Sequence, residues 1–343
     1  MASIRAPTDV WAAVDNGAWS VDANWVDGIA PTPGGGDDQV LKFEYAGEAP
    51  LPTFTNDLAG VFTIHSLILN SPGSEGFVLD GNPLKFVPSA AGAPMITAVG
   101  VSPVAMHFDL EIDDVTTLAG AGPDVTVAGV VSGPGGLVVD RPASRTTLTA
   151  ETTYAGATTV RGGDLVVEGS VVASAAIAVE HGGRLELEYA SPLDKIADAT
   201  DVALEFAALV AHNLDAAAIQ EDVGSLTLRA DSANTIRLAG ESAPVVLSAA
   251  SLERESGAVL LVEGGPFGDA DVDQLRFVTP PTLLGGDGAE DTASRSILPL
   301  VVGDRRELGE SVRASVGLVT YDETVGVTLL DEQTEYAPDV VSG

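Results

Sequence analysis

The chain has 343 residues, 45% of them hydrophobic, enough to bury a large core and to allow one to three domains, an elongated repeat counting as one. Sixteen Lys and Arg against 50 Asp and Glu leave a net charge of −34, and such a surface repels phosphate backbones and anionic lipid, which excludes nucleic acid and direct membrane insertion or binding. The absence of Cys excludes a disulfide framework, thiolate metal ligands and a thiol nucleophile.

Only Lys42, Lys85 and Lys195 are lysines. Screening by dissolved cations acts within about 10 Å at roughly 0.1 M salt, so high salt or divalent cation is an expected working condition for so acidic a chain. The opening "MASIRAPTDVW" lacks the charged start and apolar run of a signal peptide, and no 18-residue apolar stretch occurs. The expectation is a protein that stays inside, or one whose targeting segment lies outside this sequence.

Taken in chain order, the first landmark is Trp11, Trp19 and Trp25, at spacings of 8 and 6 that share one face of an extended segment. They fit either a cap over the open end of a stack, whose first layer has no neighbour to cover its apolar edge, or a row for stacking on sugars. Beyond residue 60, Gly- and Pro-rich turns such as "SPGSEG" (71–76) and "SGPGG" (132–136) punctuate short period-2 segments, among them "FTIHSLIL" (62–69) and "VAMHFDLEI" (104–112). The pair Gly135-Gly136 opens "GGLVVD", and the pattern returns as "GGDLVVEG" (162–169) and "HGGRLELEY" (181–189). Leu137 to Leu165 is 28 residues and Leu165 to Leu185 is 20, lengths that suit one coil of a β-solenoid. In that reading Leu137, Val139, Leu165, Val167, Leu185 and Leu187 point inward, Val138, Val166 and Glu186 point outward, and the glycines turn the chain at positive φ. Residues 202–220 are Ala-rich enough for a helix by propensity, whereas the family resemblance set out below implies strands and turns there. The shorter spacings Leu226 to Leu238 and Leu247 to Leu260 predict successive sides of one coil. An antiparallel β-sandwich or jelly roll is the alternative architecture.

Residues 130–170, "VVSGPGGLVVDRPASRTTLTAETTYAGATTVRGGDLVVEGS", resemble the autotransporter-associated β-strand repeat, with Tyr154, Gly156, Thr158 and Val160 on its Tyr-x-Gly-x-Thr-x-Val step. The Lys-x-Gly of that pattern is replaced by "DRPASR", which predicts a turn of different shape. Blocks at 10–31, 221–240, 251–264 and 317–337 are similar, in order, to the larger modules that carry such repeats in long bacterial surface proteins. The resemblance implies a right-handed parallel β-helix, export to the cell surface or beyond, a structural or adhesive role, and no catalytic residue.

The expected organisation is therefore an all-β chain with an N-terminal Trp-rich cap region (1–60), a solenoid core (61–268) and a C-terminal strand and hairpin region (269–343). In the last of these, residues 314–330 form two alternating segments around "YDET" that either close the stack or pair with a neighbouring module or a second copy. His65, His107, His181 and His212 are scattered, with no metalloprotease spacing, and read as ordinary strand or turn positions. The carboxylates of "IDD" (112–114) lack the companions of a β-helical hydrolase. For metal, Asp269, Asp271 and Asp273 place three carboxylates at alternate positions, like the opening of a Ca2+ loop, although Gln274 and Pro280 stand where its Gly and Glu belong. The expected function is a structural module of a bacterial cell-surface or extracellular fibre that self-associates or adjoins neighbouring modules. A carbohydrate-binding adhesin and a β-helical polysaccharide lyase or hydrolase are the alternatives.

Overall fold

The computed structural model describes residues 8–47, 51–265, 271–286, 290–305, 315–331 and 334–336. Over these the chain is all-β, with a large, mostly parallel sheet of many strands and a single 3-10 turn, Asp22–Asn24. Parallel neighbours rule out the sandwich and jelly-roll alternative, whose strands pair antiparallel. The pairing is consistent with a β-solenoid. Residues 202–220 are strands and turns, Val202–Glu205, Ala208–Asn213 and the start of Ile219–Leu228, so tertiary pairing overrides their helix propensity. Two compact units divide the chain, Met1–Leu185 and Glu186–Gly343.

In the first unit the strands fall into three columns, and the chain visits them in rotation. Ser66–Ser71 belongs to the first, Phe77–Gly81 to the second and Leu84–Phe86 to the third, before Met95–Gly100 returns to lie in parallel register on Ser66–Ser71. The third column is a four-stranded sheet of Phe62–Ile64, Leu84–Phe86, Leu110–Ile112 and Val131–Ser132. Alternation along each strand turns one side chain in two inward, and register then stacks these into ladders. One runs Leu41, Leu67, Ile96, Leu118, Val139, Val160, Val179, each beside the next and all buried. Parallel pairing includes Thr8–Val10, which lies on Val40–Glu44, so the sheet already includes strands of the N-terminal region.

The glycine-paired strands differ in register from the sequence reading. Leu137 stands beside Thr158, 21 residues on, and Leu165 beside Thr146, so "GGLVVD" and "GGDLVVEG" occupy different rungs of the long strands Leu137–Leu148 and Thr158–Val167. Val138, Val166 and Glu186, expected outside, are buried as well as their inward neighbours. The glycines have two physical reasons: Gly163 adopts φ +71, whereas a Cβ on Gly135 would meet the Asp114 carbonyl oxygen at 2.2 Å, so close approach of successive layers requires it. "DRPASR" is an irregularity within the strand rather than a separate turn. It seats Arg141 in the core, where its guanidinium donates to the Arg145 carbonyl at 2.9 Å, to Thr146 Oγ1 at 3.1 Å and to the Pro123 carbonyl. Burial pushes this guanidinium down to about 10.

In the second unit Ala208–Asn213, Ala233–Gly240, Val259–Gly264 and Val301–Arg305 pair in parallel one after another. Beside them Val202–Glu205, Ile219–Leu228, Val245–Arg254 and Gln274–Phe277 do the same. Leu226 lies on Leu252, and Leu238 on Ala211, so the short Leu226 to Leu238 spacing does link different sides of one layer. The parallel order ends at Val301–Arg305, beyond residue 268, on which Ser315–Asp322 lies antiparallel and folds back on Gly326–Leu329. Residues 315–329 are thus a hairpin laid on the last parallel strand of their own unit. Tyr321 fixes it: its hydroxyl donates to the Phe277 carbonyl at 2.7 Å and accepts the Phe277 N–H at 2.8 Å.

Candidate functional site

The three tryptophans come together, but inside. Trp11, Trp19 and Trp25 are each 2% exposed or less. Trp11 meets Trp25 edge-to-face at 5.1 Å and Phe54 at 4.9 Å, Trp19 meets Phe43 at 5.1 Å, and the Trp25 indole N–H donates to the Trp19 carbonyl at 2.8 Å. These rings form an aromatic plug in the first layers; with their faces covered, they offer no surface for stacking on a sugar.

Of the aspartates considered for calcium, Asp269 lies outside the described residues and Asp271 is exposed. Asp273 is buried and accepts the Val245 N–H at 3.0 Å and the Gly240 N–H at 3.2 Å. Burial raises its carboxyl above the usual range, against the pull of those two amides. Its oxygens cap backbone.

The histidines part ways. His65 lies 3.3 Å from the Val87 carbonyl, and His181 is exposed beside Glu180. His212 instead enters a carboxylate cluster of the second unit. On the strand Arg184–Tyr189, Leu187 and Tyr189 turn inward, and Glu186 and Glu188, two apart, share the opposite face. On Ala208–Asn213, Leu209, Ala211 and Asn213 are buried, and His212 stands on that same outer side. One ligand-capable atom from each of Glu186, Glu188 and His212 lies within 4.8 Å of the others. His212 Nδ1 is 3.3 Å from Glu186 Oε1, and Nε2 is 3.2 Å from Glu241 Oε1, Glu241 being the residue after Ala233–Gly240. Glu186 is almost wholly covered, Glu188 and His212 are half-buried, and Glu241 is exposed. Sequence reading passed over this group. The signal available was the outward pair in "LELEY", followed after 26 residues by His212 and after 29 more by Glu241, each step close to one layer of the fold.

The second unit holds another polar group. Glu221 is buried and accepts the Ile196 N–H at 2.6 Å and the Lys195 N–H at 3.1 Å, with the Tyr189 hydroxyl against it. Burial pushes the Glu221 carboxyl up to about 7, a rise that Asp194 reinforces and those donors oppose. The Tyr189 phenol is held well above its usual range by burial and by Glu221, and the Lys195 ammonium lies 5.4 Å from the Tyr189 ring centre. An open groove between Gln274–Phe277 and the hairpin is lined by Ser248, Arg276, Phe277, Pro280, Tyr321 and Glu323.

No protein-family model, characterised protein or solved structure matches the chain. The likeness of residues 130–170 to the autotransporter-associated repeat therefore rests on the motif residues themselves.

Proposed function

We propose that this chain is a structural module of a bacterial cell-surface or extracellular fibre, built as a right-handed parallel β-helix. The observation that carries the reading is the continuous ladder from Leu41 to Val179, in which each layer buries its apolar row on the next. Such a stack derives its stability from neighbouring layers and serves as a spacer whose length follows from the number of layers. The right hand follows from the preference of parallel crossovers in L-polypeptides. Buried polar side chains are consistent with this role. Asp273, Glu221 and Asn213 accept from or donate to backbone groups where strands turn.

The Trp rings fill the interior of the first layers, and the C-terminal hairpin lies antiparallel on Val301–Arg305. We take this to favour modules joined through a longer chain or by contact of closed ends, over open-ended strand addition. Immunogold electron microscopy of native material with an antibody to this chain tests the proposal. Label at regular intervals along fibres or across the cell surface is expected. A freely soluble monomer that depolymerises a polysaccharide would overturn it in favour of the enzyme reading.

A further inference from the structure

We infer that Glu186, Glu188 and His212 form a binding site for one divalent transition-metal ion, zinc being the best fit, with Glu241 orienting the histidine. The argument begins with the imidazole. A neutral histidine has one N–H and one lone pair. Nε2 faces the Glu241 carboxylate at 3.2 Å, and in the neutral tautomer that carries its proton on Nε2 this contact is a donated hydrogen bond. Nδ1 then presents its lone pair to Glu186 Oε1 at 3.3 Å, where a second acceptor would repel it.

A cation between them resolves the conflict, and the spacing suits one. Two ligands bonded to a tetrahedral zinc at about 2.0–2.1 Å lie about 3.3 Å apart, which the Nδ1 to Glu186 Oε1 distance of 3.3 Å matches. Glu188 brings a second carboxylate oxygen within 4.8 Å of both atoms, leaving a further position for water. A metal-bound histidine whose other N–H donates to a carboxylate is a recurrent outer-shell arrangement, and Glu241 occupies that place here.

One imidazole with two carboxylates separates this site from the rest of the acidic surface. Carboxylates alone suit Ca2+ and Mg2+, while an imidazole nitrogen adds preference for Zn2+, Co2+ and Ni2+. The ligands come from adjoining layers of the second unit, Glu186 and Glu188 from one strand and His212 from the next, while Glu241 reaches His212 from the end of a third. The ion would therefore act as a staple across layers, and this holds whether or not the module belongs to a fibre.

The test uses the whole chain, stripped with chelator and titrated with ZnSO4 by calorimetry in millimolar Ca2+ and Mg2+, with Co2+ absorption as a second readout. One saturable zinc per chain is expected, with visible Co2+ bands of low coordination number and a higher melting temperature on zinc addition. His212→Gln should abolish the Co2+ bands, and Glu241→Gln should weaken zinc binding by about 10–100-fold, as outer-shell changes do. Glu188→Gln, at a half-exposed position that leaves the core intact, should also weaken binding, which keeps the test decisive if His212→Gln fails to fold. The inference is overturned by zinc that does not saturate at one equivalent, by displacement with millimolar calcium, or by unchanged affinity in Glu188→Gln and Glu241→Gln. Any of these leaves His212 as an imidazolium held between Glu186 and Glu241.

Discussion

Glu221 gives the sharpest test of the polar interior, because its carboxyl is raised from an ordinary 4.5 to about 7 mainly by burial. At about 1.4 kcal/mol per pH unit that rise is worth about 3–4 kcal/mol. The sign follows from proton binding: between these two values the folded chain keeps a proton that the unfolded chain has lost, so stability falls as pH increases. The contribution is full below about 4.5 and is lost as pH rises through about 7. Urea unfolding at a series of pH values in chelator, for the parent and for Glu221→Gln, isolates it from the other carboxylates. Glutamine still accepts an N–H from Lys195 or Ile196 but cannot ionise. The stability difference, parent minus variant, should shrink by about 3 kcal/mol between pH 4.5 and pH 8. Parallel pH profiles would show that Glu221 titrates alike in the folded and unfolded chain, and would refute a carboxyl raised by burial.

The remaining predictions concern packing and charge. Trp19→Ala should cost about 3–5 kcal/mol in urea unfolding, as expected for truncating a fully buried aromatic, and a melt equal to that of the parent would mean the ring is not core. Leu185→Asp should cost more than the roughly 2–5 kcal/mol of a truncation to Ala, because it buries an unpaired charge; an unchanged thermal melt would refute the assigned face. The melting temperature should rise with NaCl in the presence of chelator, since salt screens the self-repulsion of a −34 chain. A flat response would mean that acidic side chains are already spaced beyond effective repulsion.

Much of the architecture is legible in period-2 alternation, because a strand that buries one face must alternate: Leu137 and Val139, Leu165 and Val167, and Leu185 and Leu187, read as inward, are all buried. Register is not legible in the same way. Leu165 beside Thr146 satisfies alternation as well as Leu165 beside Leu137 would, and the bulge around Arg141, which decides between them, depends on a guanidinium finding three acceptors brought together by folding. The outer face was misjudged for a related reason. Val138, Val166 and Glu186 are covered by tertiary structure that no local pattern reports. The Trp cluster could be placed from its spacing, but its burial depended on Phe43, Phe54 and Phe62 arriving from later layers. The Glu186, Glu188 and His212 group escaped motif reading because its spacing is that of a layer, not of a helix turn or a loop.

In-register parallel pairing also explains how so acidic a chain tolerates stacking. Neighbouring strands lie about 4.8 Å apart, so a carboxylate repeated at one register position would face its like in every layer. The sequence breaks such columns. Glu111 lies between Lys85 and Ser132, with Lys85 Nζ 2.6 Å from its carboxylate; Asp164 lies beside Arg145, Glu263 beside Arg237, Glu253 beside Thr227 and Glu44 beside Asn70. Glu263 beside Asp304 is an exception. With only 16 basic residues for 50 acidic ones, pairing of this kind is limited, and most carboxylates must be placed where strands turn. Against that rule, Glu186 and Glu188 on one strand, with Glu241 two layers on and His212 between, concentrate negative charge at a largely covered face. A sequence that elsewhere separates its carboxylates has a physical reason to gather them here if a cation completes the group, which makes the zinc titration a test of the charge pattern as well as of the site.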